Sequence, residues 1–123
     1  MTAGPPTTEL RRLTKRAQYL NVARGQRAGR SGFTLQMIKA DTAAPGVGLT
    51  VTNKTGNSPE RNRIRRRLRE ALRACATEFK PQHDYVVVGR RDALTLPFSK
   101  VVSDLSSAIA KVHARRDTGD QTQ

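Results

Sequence analysis

The segment from Arg61 to Arg73 combines dense positive charge with a regular apolar rhythm. Seven of its residues are arginine. Apolar residues recur through it and beyond it at intervals of three and four, and they are Ile64, Leu68, Leu72, Cys75 and Phe79. At about 100° per residue this spacing forms one stripe of a helix. The segment therefore predicts a folded amphipathic helix that presents guanidinium groups, because a disordered basic tail would lack the periodicity.

The residues around this helix predict where it begins and ends. Ser58 is suited to the N-cap, Pro59 to the first helical position, and Glu60 to the first turn, where its charge complements the helix dipole. Pro81 stops the helix.

The charge balance predicts a polyanionic partner. The 123 residues carry a formal net charge of +13, which favours nucleic acid first and an anionic membrane surface second. No apolar run approaches the roughly 18 residues of a membrane span, and residues 1–6 lack the apolar core of a signal peptide. We therefore expect a cytoplasmic protein without a membrane partner.

Chemistry performed by the protein itself is not expected. Cys75 is the only cysteine, and with His83 and His113 it fits no familiar zinc spacing. We expect a buried, inert thiol at Cys75. The ten carboxylates are scattered, and no phosphate-binding glycine loop or Gly-x-Ser-x-Gly elbow is present. We therefore predict neither a catalytic residue nor a metal site.

The remaining sequence predicts one α+β domain. A first helix is expected from about Lys15 to Arg24, with Thr14 as N-cap and Gly25 as its stop. Its inner face is predicted to contain Leu13, Ala17 and Leu20. A last helix is predicted from near Pro97, and its inner face to contain Phe98, Val101, Val102, Leu105, Ala108, Ile109 and Val112.

Four strands are predicted between these helices. A short edge strand is expected within Gly25–Gly32, and alternating patterns predict Phe33–Met37 and Val47–Thr52. The continuous apolar run of Asp84–Gly89 is typical of a central strand. The predicted order is thus α-β-β-β-α-β-α, with helices packed on one sheet. Residues 1–9 are expected to be disordered, 10–114 to form the domain, and 115–123 to be a disordered polar tail.

The alternation of two strands leaves a second sheet face that is polar. Its residues are Thr34, Gln36, Thr50 and Thr52. Two interpretations fit this pattern: a solvated face of an antiparallel sheet, or the floor of a site for a polar ligand.

RNA is favoured over DNA as the polyanion. The arginine helix is not accompanied by a helix-turn-helix, zinc-finger or zipper pattern. Aromatic residues make up only 4 % of the chain, too few for a base-stacking sheet. Recognition by backbone and shape suits structured RNA, and we expect no DNA partner.

The block from Val47 to Glu70 resembles the signature of the bacterial ribonuclease P protein subunit. In that signature a strand leads into Gly56-Asn57, and Arg61-Asn62-Arg63 opens a basic helix. The first helix and the strand Asp84–Gly89 fit the family as well, so that the resemblance covers roughly residues 10–113.

The resemblance implies a fold and a role. The fold is a single α-β sandwich, shared with a domain of a small-subunit ribosomal protein, in which the arginine helix makes a left-handed crossover between two parallel strands. The role is that of a ribonuclease P subunit, which helps remove the 5′ leader from precursor tRNA. The implied partners are the catalytic RNA, which requires Mg²⁺ for hydrolysis, and the precursor-tRNA leader. No cofactor of the protein's own is implied.

The resemblance, together with the basic helix, assigns two sets of residues. The RNA-binding set is Lys54, Asn57, Arg61, Asn62, Arg63, Arg65, Arg66, Arg67, Arg69 and Arg73. The leader-binding cleft, between the first helix and the sheet, is assigned Tyr19, Thr34, Gln36, Thr50, Thr52 and Asn53, with Tyr19 placed to stack on a base.

The chain departs from the family pattern at several positions. Asn53 replaces a lysine, and Gln36 and Ala23 stand where aromatic residues are common, which predicts weaker or more hydrogen-bonded leader binding. Pro59-Glu60 indicates an alternative start of the basic helix. The competing functional hypotheses are a non-catalytic ribosomal protein or RNA chaperone, and a protein-only nuclease.

Overall fold

A computed structural model describes residues 10–41 and 43–122, with side chains described through residue 114. Within these residues it contains five strands, three α-helices and three short 3-10 turns. The strands are β1 (Arg11–Arg12), β2 (Gln26–Gly29), β3 (Phe33–Lys39), β4 (Gly46–Thr50) and β5 (His83–Gly89). The helices are α1 (Arg16–Val22), α2 (Ser58–Ala74) and α3 (Phe98–Thr122), and the 3-10 turns are Asn53–Thr55, Ala76–Glu78 and Arg91–Leu94. The predicted order is confirmed, with β1 added before α1.

The five strands form one mixed sheet in the order β1-β4-β5-β3-β2. β4 is parallel to both β1 and β5, whereas β3 is antiparallel to β5 and β2. β5 is central, as its apolar run predicts. α2 connects the parallel neighbours β4 and β5 and so forms a βαβ unit; its left-handed sense stays a prediction.

The two faces of the sheet carry different layers. α2 and α3 cover one face, where Phe33, Leu35 and Val87 belong to the main core together with Ile64 and Leu105. α1 covers part of the other face through a smaller cluster, made of Leu13, Val22 and Val86 with Tyr19, Ile38 and Val88 at its margin. Because side chains alternate along a strand, the predicted polar residues share this second face with α1.

The inner face of α1 differs from the prediction. Leu20 is 56 % exposed and Ala17 is also exposed, whereas Val22 is buried and Tyr19 is half-buried. Leu13 is buried, but it precedes the helix. Extending the apolar spacing from Leu13 into α1 therefore predicted the wrong inner face. The helix is also shorter than predicted and begins one residue later: Lys15 is its N-cap. The side chain of Gln18 accepts hydrogen bonds from the backbone N–H groups of Thr14 and Lys15, at 3.0 and 2.9 Å.

α3 agrees with the prediction except at its two ends. Phe98, its first residue, is 42 % exposed because it precedes the turns that pack on the core. The other predicted inner residues are buried, apart from the half-buried Val102. The backbone of 115–122 continues the helix to Thr122, so this part of the expected disordered tail is helical. No proline interrupts it, and an internal glycine costs only about 1 kcal/mol. Residues 1–9 and 123, also expected to be disordered, lie outside the described residues.

β1 is held in place by a long-range ion pair. The Arg11 guanidinium contacts the buried carboxylate of Asp84 at 2.5 Å and donates to the Ala44 carbonyl at 2.8 Å. Asp84 lies on β5, so the side chain of Arg11 reaches past β4 to the central strand. This arrangement attaches the start of the domain to the sheet.

Candidate nucleic-acid interface

A reciprocal capping box sets the start of α2. Asn57 is the N-cap, in place of the predicted Ser58, which is the first helical residue. The Asn57 side chain accepts from the Glu60 N–H at 2.9 Å, and the Glu60 carboxylate accepts from the Asn57 N–H at 2.9 Å. Asn57, and not Ser58, is the N-cap because Glu60 lies three residues after Asn57 and completes the capping box. The side chain of Asn57, predicted to bind RNA, is therefore occupied in fixing the helix.

Glu60 also connects α2 to the turn that follows β5. Arg91 donates to the two carboxylate oxygens of Glu60 at 3.0 and 2.8 Å, and to the Thr55 carbonyl at 3.2 Å. The hydrogen bonds from the Arg91 side chain and from the Asn57 N–H lower the pKa of the Glu60 carboxyl to about 2. A Cβ at Gly56 would lie 2.5 Å from Oε1 of Glu60, so glycine leaves the space that this ion pair occupies.

Two of the predicted RNA-binding arginines contribute to the fold. Arg61 donates to the Gly56 carbonyl at 2.7 Å and to the Ser58 hydroxyl at 3.2 Å. Arg67 donates to the Leu96 carbonyl. Both side chains are half-buried. They hold the two sides of α2 against the loop before it and the segment before α3.

The other arginines of α2 remain available to a partner. Among the described residues, Arg63, Arg66 and Arg69 are exposed and make no side-chain hydrogen bond or ion pair. Arg65 donates to the side chain of the neighbouring Asn62 at 3.0 Å, and Arg73 pairs with Glu70 at 2.7 Å with both side chains more than half exposed. Like charges three and four residues apart destabilise a helix. A bound polyanion would relieve this repulsion.

The loop before α2 contributes one further free cation. Lys54 is exposed in the 3-10 turn Asn53–Thr55 and has no side-chain partner among the described residues. The hydroxyls of Thr52 and Thr55 lie 3.3 Å apart and tie this turn together. Thr52 and Asn53 are both exposed.

A groove lies between α1 and the polar face of the sheet. We name it the α1 groove; it has a volume of about 580 Å³. Its lining residues are Thr14, Arg16, Tyr19, Leu20, Gln36, Leu49, Thr50 and Val86. The structure thus brings together three of the six residues predicted for the cleft: Tyr19, Gln36 and Thr50.

The other three predicted cleft residues do not line this groove. Thr34 lies in one row with Thr50, across Val88 of the central strand. Thr52 and Asn53 follow the end of β4.

Five residues that line the α1 groove were not predicted for the cleft: Thr14, Arg16, Leu20, Leu49 and Val86. Arg16 lies on α1 one turn before Tyr19, a spacing that could have indicated a cation beside the aromatic ring. No signal in the sequence indicated Thr14 or the exposed Leu20, because a seven-residue helix carries too little periodicity to fix its orientation.

Tyr19 is positioned by a close approach to the sheet. Its hydroxyl donates to the Leu13 carbonyl at 3.2 Å. A Cβ at Gly48 would lie 2.7–2.8 Å from three atoms at the hydroxyl end of the ring. Tyr19 therefore rests directly over Gly48, and glycine is needed there for the ring to do so. Ala23, the second position where the family often has an aromatic residue, is the C-cap of α1.

The described residues contain no metal-binding group, and the thiol among them is buried. Cys75 is fully buried, and burial raises the pKa of its thiol to about 11. Among the residues that the structure describes, no three His, Cys, Asp or Glu side chains are grouped to hold a metal ion. Within the same residues, no helix has the length and apolar character needed to span a membrane.

The sheet, the cationic helix and the groove define a small basic α+β protein with the features of a nucleic-acid-binding subunit. Residues 8–113 match the family model described as Ribonuclease P. The chain belongs to this family, and its role is that of a ribonuclease P protein component in tRNA processing.

Curated relatives agree with this assignment, and solved structures agree with the fold. The chain is 40 % identical to the ribonuclease P protein component of Brucella melitensis biotype 1, covering 90 % of this chain and 86 % of that protein. It is 41 % identical to the ribonuclease P protein component of Ruegeria pomeroyi, covering 83 % of this chain and 86 % of that protein. The fold is similar to that of the RNase P protein of Staphylococcus aureus, with a TM-score of 0.68 and 24 % identity over 82 % of this chain and 95 % of that one. It is also similar to that of the RNase P protein of Thermotoga maritima, with a TM-score of 0.66 and 24 % identity over 76 % of this chain and 90 % of that one.

Proposed function

We propose that Arg63 and Arg66, on the exposed side of α2, bind the catalytic RNA of ribonuclease P, and that the α1 groove holds the 5′ leader of precursor tRNA. The RNA performs the Mg²⁺-dependent hydrolysis, and the protein supplies no catalytic residue. Acting in the cytoplasm, the protein reduces repulsion between the two RNAs and positions the leader.

The observation that carries this proposal is the contrast among the arginines of α2. Arg61 and Arg67 hold the helix in place through backbone carbonyls. Arg63 and Arg66 are exposed and have no partner in the part of the chain that the structure describes. Rigidly presented guanidinium groups without carboxylate partners are suited to phosphates. The free Lys54 extends this cationic surface at the start of the helix.

The composition of the α1 groove supports a single-stranded occupant. Gln36 and Thr50 offer hydrogen-bonding groups on its floor, Tyr19 offers an aromatic ring, and Arg16 adds a positive charge. Stacking of a base on an aromatic side chain contributes about 1–3 kcal/mol. Because only one aromatic residue lines the groove, hydrogen bonds provide a larger share of leader binding here than stacking does.

Reconstitution tests the proposal. A bacterial catalytic RNA is assayed with precursor tRNA at limiting Mg²⁺, with and without the protein. We expect the protein to accelerate cleavage and Arg66→Gln to weaken the complex with the catalytic RNA. Lys111→Gln is the matched control, because it removes one exposed charge from α3. Unchanged cleavage on addition of the protein would refute the proposal, and preferential co-purification of ribosomal RNA would favour a ribosomal or chaperone role.

A further inference from the structure

A second groove lies on the other side of Tyr19. We name it the α2 groove; it has a volume of about 350 Å³ and lies between β1, the edge of β4 and the C-terminal half of α2. Leucines from the residue before β1, from β4 and from α2 supply much of its apolar surface: Leu10, Leu49 and Leu72. Arginines from β1 and α2 supply its charge: Arg11, Arg12, Arg69 and Arg73.

The arginines of this groove differ in their availability. Arg11 is neutralised by Asp84. Arg12 and Arg69 are exposed and have no side-chain partner among the described residues. The groove therefore combines free positive charge with an apolar surface.

This combination fits unpaired nucleotides. The surface of an RNA helix offers phosphates and sugars, which would leave the leucines uncovered. Unstacked bases of a single strand cover apolar surface, while their phosphates reach the neighbouring cations.

The two grooves adjoin each other, which points to one occupant. Tyr19 and Leu49 line both of them. A strand that leaves the α1 groove over Tyr19 therefore enters the α2 groove without crossing α2. The outward-facing Arg66, in contrast, lines neither groove.

We infer that the 5′ leader extends from the α1 groove into the α2 groove, where Arg12 and Arg69 hold its phosphates and leucines contact its bases. This inference rests on the proposed function and divides the arginines of α2 by partner. Arg63 and Arg66 face the catalytic RNA, and Arg69, with Arg73 beside it, faces the substrate.

A leader-length series separates these assignments. Precursor tRNAs whose leaders grow one nucleotide at a time are bound to holoenzyme assembled with excess wild-type, Arg12→Gln or Arg69→Gln protein. With short leaders we expect the variants to bind as the wild type does. With leaders that reach the second groove we expect several-fold weaker binding, and the log–log salt slope should fall by about 0.7 for each lost phosphate contact. Arg66→Gln is the control, with an effect that does not depend on leader length.

Abasic leader nucleotides test the role of the leucines. In the wild-type holoenzyme, an abasic position that lies over the α2 groove should weaken binding several-fold, whereas one placed further out should not.

The outcomes distinguish the two proposals. An effect of Arg12→Gln and Arg69→Gln that is equal at every leader length, or absent at every length, would overturn this inference. A wild-type protein that gives no preference for precursor over mature tRNA at any length would overturn the proposed function instead.

Discussion

Glu60 and Arg91 form a two-point ion pair, with Nη1–Oε1 and Nη2–Oε2 separations of 3.0 and 2.8 Å. The pair joins the first turn of α2 to the 3-10 turn after β5. It therefore fixes the direction in which the arginine helix leaves the sheet.

This ion pair predicts a pH-dependent contribution to stability. Because the pKa of Glu60 is about 2 in the folded protein and about 4.5 otherwise, the pair stabilises fully above about pH 4.5, and its contribution is lost as the pH falls towards 2. Glu60→Gln retains a capping side chain but removes the charge. Its destabilisation, measured by urea unfolding, should be largest near neutral pH and vanish at low pH. A destabilisation that is independent of pH would contradict the role of the charge, and Glu70→Gln provides an exposed control.

Asn57 is expected to act through the helix cap. Asn57→Ala should lower the free energy of unfolding by about 1 kcal/mol, whereas Asn57→Ser should retain the cap and the stability. Affinity for the catalytic RNA, measured where both variants are folded, distinguishes the cap from a direct contact. We expect the serine variant to bind as the wild type does; a loss of affinity in this variant would support Asn57 as a direct RNA ligand.

Tyr19 is expected to provide the preference for precursor over mature tRNA. Tyr19→Ala should reduce that preference several-fold, because it removes the ring that lines the α1 groove. Tyr19→Phe should retain most of it, because only the hydrogen bond to the Leu13 carbonyl is lost. Binding constants for both tRNAs, measured with the same holoenzyme, test this. Equal losses for the two tRNAs in Tyr19→Ala would place the leader elsewhere.

Gly48 should influence the α1 groove without contacting the leader itself. Gly48→Ala forces the Tyr19 ring away from the sheet, since the new Cβ would lie 2.7 Å from it. Precursor affinity should fall several-fold, while affinity for the catalytic RNA, bound through α2, should not change. Gly29→Ala is the matched control, because a Cβ there meets no atom within 4 Å. If both variants lower precursor affinity equally, the loss reflects the sheet and not Tyr19.

Cys75 should react only after unfolding. Burial raises the pKa of its thiol from 9.0 to about 11, so that at pH 8 the thiolate is roughly a hundredfold scarcer than in an exposed cysteine. Iodoacetamide should leave the native protein unmodified and label Cys75 quickly in denaturant, as followed by mass spectrometry. Rapid labelling of the native protein would show that α2 and α3 separate easily at this point.

Local patterns of the sequence predict the central strand and the body of the arginine helix. The predicted end of that helix at Pro81 is wrong, because α2 ends at Ala74 and a 3-10 turn follows it. The stripe of Ile64, Leu68 and Leu72 can be recognised from a period near 3.6 residues, and β5 can be recognised from its consecutive apolar residues. Both features lie within a few residues of chain. The polar face of the sheet was likewise evident from the alternation in β3 and β4.

Contacts between distant segments could not be predicted in this way. Arg67 looks like any other arginine of α2 until the fold places the Leu96 carbonyl beside it. β1 has only two residues and no alternation, so its existence depends on β4 and Asp84. Leu20 was placed on the wrong side of α1 because its orientation is set by Tyr19 and Gly48, and not by periodicity.

The ion pair between Arg11 and Asp84 also constrains when the chain can fold during synthesis. Its two residues are 73 positions apart, so β1 leaves the ribosome long before Asp84 is synthesised. Residues 58–74, which form the cationic helix, are likewise translated before Arg91 is available to Glu60. Since such non-local contacts form late, the nascent chain displays its arginines before they are held in place. A stable surface for RNA arises only when translation has passed the central strand.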